Sequence, residues 1–108
     1  MDEKSAYTYI PDLKELISEV PPDSIVSRTF SETDQIKSIL FGFAQGQELS
    51  EHTASKPAVL HFLSGKAEVT LGQDPMAAND GTWIHMPPNL PHSIVAKTPV
   101  LMLLILIG

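Results

Sequence analysis

Four imidazoles, His52, His61, His85 and His92, are the side chains of this sequence best suited to chemistry, and no cysteine accompanies them. Near neutral pH an imidazole passes between neutral and charged forms. It can ligate a transition metal, move a proton as general acid or base, or orient a polar ligand by hydrogen bonding. Without cysteine there are no thiolate nucleophiles, thiolate ligands or disulfides to consider. Two of the four imidazoles stand in informative surroundings. His52 lies in the stretch Gly46 to Gly65. This reads as a turn, a short strand, a break at Lys56-Pro57, an apolar β-rich run from Ala58 to Leu63 and a second turn at Ser64-Gly65. His92 follows Pro87-Pro88-Asn89-Leu90-Pro91, a loop whose prolines cannot donate to a strand ladder. Both imidazoles therefore stand beside apolar walls.

The elements that must position them are mostly strands. Near the start, Leu13, Leu16, Ile17 and Val20 recur at helical spacing behind Pro11, which predicts a short amphipathic helix ended by Pro21-Pro22. From Ser24 onward the period falls to two. Strands are expected at Ile25–Phe30, Gln35–Ala44, His52–Ser55, Ala58–Leu63, Ala67–Leu71, Thr82–Met86, His92–Ala96 and Val100–Ile107, with a short edge strand at Met76–Ala78. Polar turns separate them, among them Ser31–Asp34, Gly72–Pro75 and Asn79-Asp80-Gly81. Ile39, Phe41 and Phe43 share one strand face. Many short strands behind a single helix predict an all-β sandwich or barrel. The last strand is apolar on both faces, so both faces need cover. The barrel interior would cover one, and a second sheet or a second subunit the other.

Composition narrows the function classes. A chain of 108 residues fits one domain. Its net charge of −6 argues against nucleic-acid binding, which needs a basic face. The longest apolar run, Val100 to Ile107, has eight residues, whereas a membrane-spanning helix needs about 20. The opening Met1-Asp2-Glu3-Lys4-Ser5 has neither the basic nor the apolar region of a secretory leader. With no cysteine, this leads to an expected cytoplasmic location.

Two spaced patterns resemble the motifs of the cupins, small double-sheet jelly-roll barrels. The first cupin motif runs Gly, five residues, His, one, His, three or four, Glu, six, Gly. Gly46, His52 and Gly65 fall in register with it, while Ala54 stands at the second His and Ala58 at the Glu. The second motif runs Gly, five, Pro, one, Gly, two, His, three, Asn. Gly81, Pro87 and His92 fall in register, with Asn89 in place of the Gly and Ala96 in place of the Asn. Residues 66–80 form a short segment between the motifs, and the resemblance spans roughly Ile36 to Ile107. The chain is thus similar to small single-domain cupins of the conserved-barrel, cupin 2-like and RmlC-like kind. The resemblance implies a double-stranded β-helix (jelly-roll) barrel over residues 35–108. Residues 1–34 would form an N-terminal segment, with the short helix and a strand, packing on the barrel or on a dimer partner.

The resemblance also implies roles. Typical cupins hold one divalent metal on two His, a Glu and a third His pointing into the barrel. Here His52 and His92 match two of those positions. Either one divalent transition metal (Zn, Fe, Mn, Ni or Cu) binds there or none does, because Ala54 and Ala58 carry no ligand atoms. His85 and His61 are the candidates for extra ligands. His61, three residues after Ala58, should point away from the family's Glu face unless a bulge intervenes. His85 shares a face with Trp83, and parity alone does not say which face that is. Glu48 shares parity with His52 only if their strand runs through Ser50, and Glu51 should face the other way. Trp83, Phe41, Phe43, Phe62, Met86 and Met102 are expected in the core or pocket lining.

Two functions follow. One is a module binding a small polar or anionic molecule in the barrel cavity between His52 and His92. The other is a metal-dependent enzyme of dioxygenase, decarboxylase or isomerase type using the same pair, or a metal-free one using a His as base. Metal-free sugar epimerases of the family pair His with Tyr, and the only tyrosines here are Tyr7 and Tyr9, ahead of the barrel strands. The apolar last strand and the N-terminal segment point to a homodimer.

Overall fold

The computed structural model describes residues 7–108, and the polar start, Met1 to Ala6, lies outside them. Nine strands run through the described residues: β1 Ile25–Glu32, β2 Ile36–Phe43, β3 Glu48–His52, β4 Ala58–Ser64, β5 Ala67–Leu71, β6 Asp74–Ala78, β7 Trp83–Met86, β8 His92–Ala96 and β9 Val100–Ile107. They form a five-stranded sheet, β1-β2-β9-β4-β7, and a four-stranded sheet, β3-β8-β5-β6. Every pairing is antiparallel. Apart from the hairpins β1–β2 and β5–β6, consecutive strands cross between the sheets, so the fold is the expected jelly roll.

Strand alternation explains which face meets the core. On β4, Leu60 and Phe62 are buried and His61 between them is not. Register carries the same face across the sheet, pairing Leu60 with Leu104 and Phe62 with Met102. On the facing sheet Val69 pairs with Ile94, and both are fully buried. Phe43, Leu60, Phe62, Met102, Val69 and Ile94 fill the space between the sheets. Phe41 and Met86 also line this interior, as expected. Trp83 does not: it is 61% exposed on the outward face.

The N-terminal helix is a correction. Only a single 3₁₀ turn forms, Leu13–Leu16, capped by the Asp12 side chain accepting from the Lys14 amide at 3.0 Å. A run this short, bounded by prolines, is below the length at which a helix holds itself together. Its apolar residues are used in an extended path instead. Ile17 and Val20 lie over Gly42 on the outer face of the five-stranded sheet. A Cβ at Gly42 would come within 2.7 Å of a Val20 methyl, so the crossing needs glycine there. Arg28 ties the segment down from β1 by donating to the Leu16 carbonyl at 3.1 Å. No helix among the described residues is long and apolar enough to cross a membrane.

The strand around His52 is a second correction. It runs from Glu48 and ends at His52, rather than beginning there. Past it, Thr53 to Pro57 carry the chain to the other sheet.

Candidate functional site

The two imidazoles in register with the motifs meet at one end of the barrel. β3 leads through residues 53–57 into β4, and β7 leads through residues 87–91 into β8. Both connections close the same end, and they are joined to each other by the Asn89 amide donating to the Ala54 carbonyl at 2.7 Å. Asn89 adopts a left-handed φ of 67°. Asn is among the few non-glycine residues that tolerate this conformation, which accounts for its standing where the motif has Gly.

A bulge brings His52 to the inner face. Leu49 pairs with Ile94 and His52 with His92, so three steps along β3 match two along β8. The extra residue leaves both Leu49 and His52 on the side of buried Ile94 and His92. Glu48 pairs with Val95 and faces out. The strand does run through Ser50, but the bulge cancels the shared parity of Glu48 and His52.

The rings of His52 and His92 lie 4.2 Å apart, centroid to centroid, with planes at 56°. His92 is 6% exposed, whereas His52 is open to solvent. Each ring is tied by its Nδ1 to a carbonyl two residues earlier, Ser50 O for His52 and Leu90 O for His92, both at 2.9 Å. A carbonyl oxygen only accepts, so Nδ1 carries the proton in both rings. In the neutral imidazoles Nε2 is then left as an acceptor.

His61 and His85 lie elsewhere. His61 pairs with Trp83 and Leu103, and His85 pairs with Val59. Both are on the outward face of the five-stranded sheet, since their strand neighbours Leu60, Phe62, Ile84 and Met86 point inward. The sheet itself separates them from the His52–His92 pair, so they do not complete a ligand set with it. Ala58 is buried at the position of the motif's Glu, and Ala54 offers only backbone. Among the described residues no group of three or more His, Asp or Glu side chains could hold a metal. The donor set, two imidazole nitrogens, does not fit the family's four-ligand metal.

Strand register also puts Lys37 on the inward-facing row of the five-stranded sheet. Lys37 pairs with Leu106, Leu106 with Ala58, and Ala58 with Met86, one inward row across the five-stranded sheet at the end where His52 and His92 sit. Glu32 is the cross-strand neighbour of Lys37. The sequence signal was available: Lys37 shares the two-residue period of Ile39, Phe41 and Phe43. Deeper in, Phe62, Met102 and Ile94 fill the barrel. Two open concavities lie elsewhere, one of about 530 Å³ along β5 and β6 between Lys66 and Lys97, and one of about 360 Å³ between Leu63 and Ile10–Lys14; neither is lined by His52 or His92.

Comparison with known proteins agrees with this architecture. The family model for the cupin domain matches residues 39–107. A conserved protein of unknown function from Streptococcus pyogenes is 27% identical and superposes with a TM-score of 0.83 over 98% of this chain and 92% of its own. A cupin superfamily protein from Desulfitobacterium hafniense is 24% identical, with a TM-score of 0.84 over 99% and 98% of the two chains. A cupin 2 conserved barrel domain protein from Leptotrichia buccalis is 26% identical, with a TM-score of 0.82 over 89% of this chain and 46% of that one. No curated protein sequence matches. On the motif residues, the two-sheet topology and a family match over more than half its length, this chain belongs to the cupin family.

Proposed function

We propose that this cupin binds a small molecule at the mouth of its barrel, between His52, His92 and Lys37, without a resident metal. The observation that carries the reading is the pair of Nδ1–H bonds to Ser50 O and Leu90 O, which leaves Nε2 as an acceptor on each of two neighbouring rings. Two adjacent acceptors call for a ligand that donates, such as a hydroxyl. Lys37 calls for one that accepts or carries negative charge. A small hydroxylated carboxylate meets both demands. Glu32 beside Lys37 keeps the rim from being strongly basic and favours a single negative charge. The filled interior favours the mouth over a deep cavity.

The test is a thermal-shift screen of small hydroxy acids in the presence of a chelator, with metal content measured on protein purified without one. A saturable rise in Tm that His92→Ala abolishes is expected. If only divalent metals shift Tm, and the protein arrives with one equivalent bound, the reading fails.

The same free Nε2 atoms favour a second reading, metal-free catalysis, with His92 taking a proton from the bound hydroxyl as general base. It predicts slow consumption of a ligand that binds, lost in His92→Ala. A ligand recovered unchanged after long incubation leaves the binding role alone.

A further inference from the structure

We infer that the outer face of the four-stranded sheet carries a second binding site, for a small carboxylate with an apolar body, at the end of β5 and β8 remote from His52 and His92. Register sets its position. β5 pairs with β8 from Leu71 with His92 to Ala67 with Ala96, so the imidazoles lie at one end of these strands. One step past the other end Lys66 meets Lys97, where the Lys97 amide donates to the Lys66 carbonyl at 2.8 Å. The same step on β6, beyond the pairing of Ala67 with Ala78, brings Asn79 beside Lys66. Asn79, Lys66 and Lys97 thus form one row across the ends of three strands, and all three are exposed. Like charges directly opposite each other on a sheet are destabilising. The chain has only seven Lys and Arg against thirteen Asp and Glu, so composition does not force two cations together. The backbone holds them there: the Lys66 amide donates to Thr98 Oγ1 at 2.9 Å, and the Lys66 carbonyl also accepts from the Thr98 amide at 3.2 Å.

Charge and shape identify the ligand. Glu68 offsets part of the repulsion, its carboxylate 3.9 Å from the Lys97 ammonium, but both side chains are more than half exposed. An ion pair that open to water is worth little. Asp80, on the neighbouring turn, accepts from the Gly65 amide at 2.7 Å. An anion between the two ammonium groups removes their repulsion and gains charge-assisted hydrogen bonds. Two lysines less one glutamate leave one positive charge, which suits a carboxylate better than a doubly charged group. A concavity of about 530 Å³ opens beside this row, and ligand pockets span about 300–1,000 Å³. Away from the lysines its wall turns apolar. The outward residues of β6 there are Ala77 and Pro75, too short to fill the space beside Glu68, and Met76 lies at the rim. β6 is the edge strand of its sheet, so the groove is open along that side. From Asn79 to Pro75 the strand rises about 13 Å. A medium-length alkyl carboxylate fits this groove, with its head on Lys66, Lys97 and the Asn79 amide group and its chain along Ala77, Pro75 and Met76.

The probe is octanoate, titrated into the isotope-labelled full chain and followed by amide chemical shifts. Saturable shifts are expected at Lys66, Ala77, Asn79 and Lys97, with none at His52 or His92. Octanol at the same concentration should leave the lysine amides unmoved. Lys66→Gln and Lys97→Gln should each weaken octanoate by about tenfold, the loss of a charge-assisted hydrogen bond, and Lys66→Arg should keep it. Without ligand, Lys66→Gln should raise Tm by about 1–4 °C, because it relieves the opposed charges. No saturable shift in this row at millimolar octanoate overturns the inference. So do shifts that octanol reproduces, shifts confined to His52 and His92, or an affinity unchanged in both glutamine variants. A Lys66→Gln protein no more stable than wild type also overturns it, since the opposed lysines would then cost the fold nothing.

Discussion

Ala58→Glu tests whether a metal is missing from this chain for want of one carboxylate. Ala58 is 1% exposed, and its cross-strand neighbours are Met86 and Leu106. A carboxylate introduced there loses its water and meets apolar side chains. An uncompensated buried charge costs about 3–5 kcal/mol. The nearby solvent-open His52 favours the lower end. At about 4 °C per kcal/mol for a chain of this size, about 3 kcal/mol lowers Tm by about 12 °C in chelator. Burial raises the pKa of the introduced carboxyl, so the folded state holds its proton to higher pH than the unfolded chain does. The penalty is therefore absent well below pH of about 4.3 and grows as pH rises above it. A carboxylate that reaches the two Nε2 atoms gives Zn or Ni a third ligand. At a free concentration a hundredfold above Kd the metal returns about 2.7 kcal/mol, nearly the whole loss. Differential scanning fluorimetry with and without metal, at pH 4 and pH 8, reads all of this. No loss of Tm in chelator would show that Ala58 is not walled in as the structure has it. A loss that no metal reverses would show that His52 and His92 do not aim at the space in front of Ala58.

Two further outcomes follow from particular contacts. Lys37→Gln should weaken an anionic ligand at the mouth by about 1.5 kcal/mol or more while leaving a neutral analogue unaffected, measured by calorimetry; equal losses for both would remove the charge role. Gly65→Ala should destabilise by about 2 kcal/mol or more in urea denaturation. Gly65 sits at φ 99°, and a Cβ there runs into the Pro99 carbonyl; a variant as stable as wild type would show that the turn relaxes freely.

Much of the barrel was legible because its signals are local and periodic. Leu60 and Phe62 alternate with His61, and Asn79-Asp80-Gly81 marks its turn, so strands and their order of faces could be read directly. What misled were places where a tertiary contact or an inserted residue changed the count. Leu13, Leu16, Ile17 and Val20 have helical spacing, yet packing on Gly42 holds most of that segment extended. Glu48 and His52 have matching parity, yet a bulge separates them. His85 and Trp83 were known to share a face, but only the pairing of β7 at the sheet edge shows that it is the outer one. Lys37 shares the two-residue period of Ile39, Phe41 and Phe43, but parity alone does not say that this face is the inner one; its register with Leu106 and Ala58 does.

The bulge in β3 has a consequence for how this site tolerates change. Leu49 and His52 reach the same face only because an extra residue lies between their pairing positions. The identities of Ser50 and Glu51 matter little to this, since both side chains are exposed and Ser50 serves through its carbonyl. Their number matters a great deal. Shortening the stretch by one residue would turn His52 outward, part it from His92 and leave the barrel otherwise whole. The site is thus robust to spelling and fragile to length, and in relatives of this chain the spacing between Gly46 and His52 is a better guide to an intact mouth than the letters that fill it.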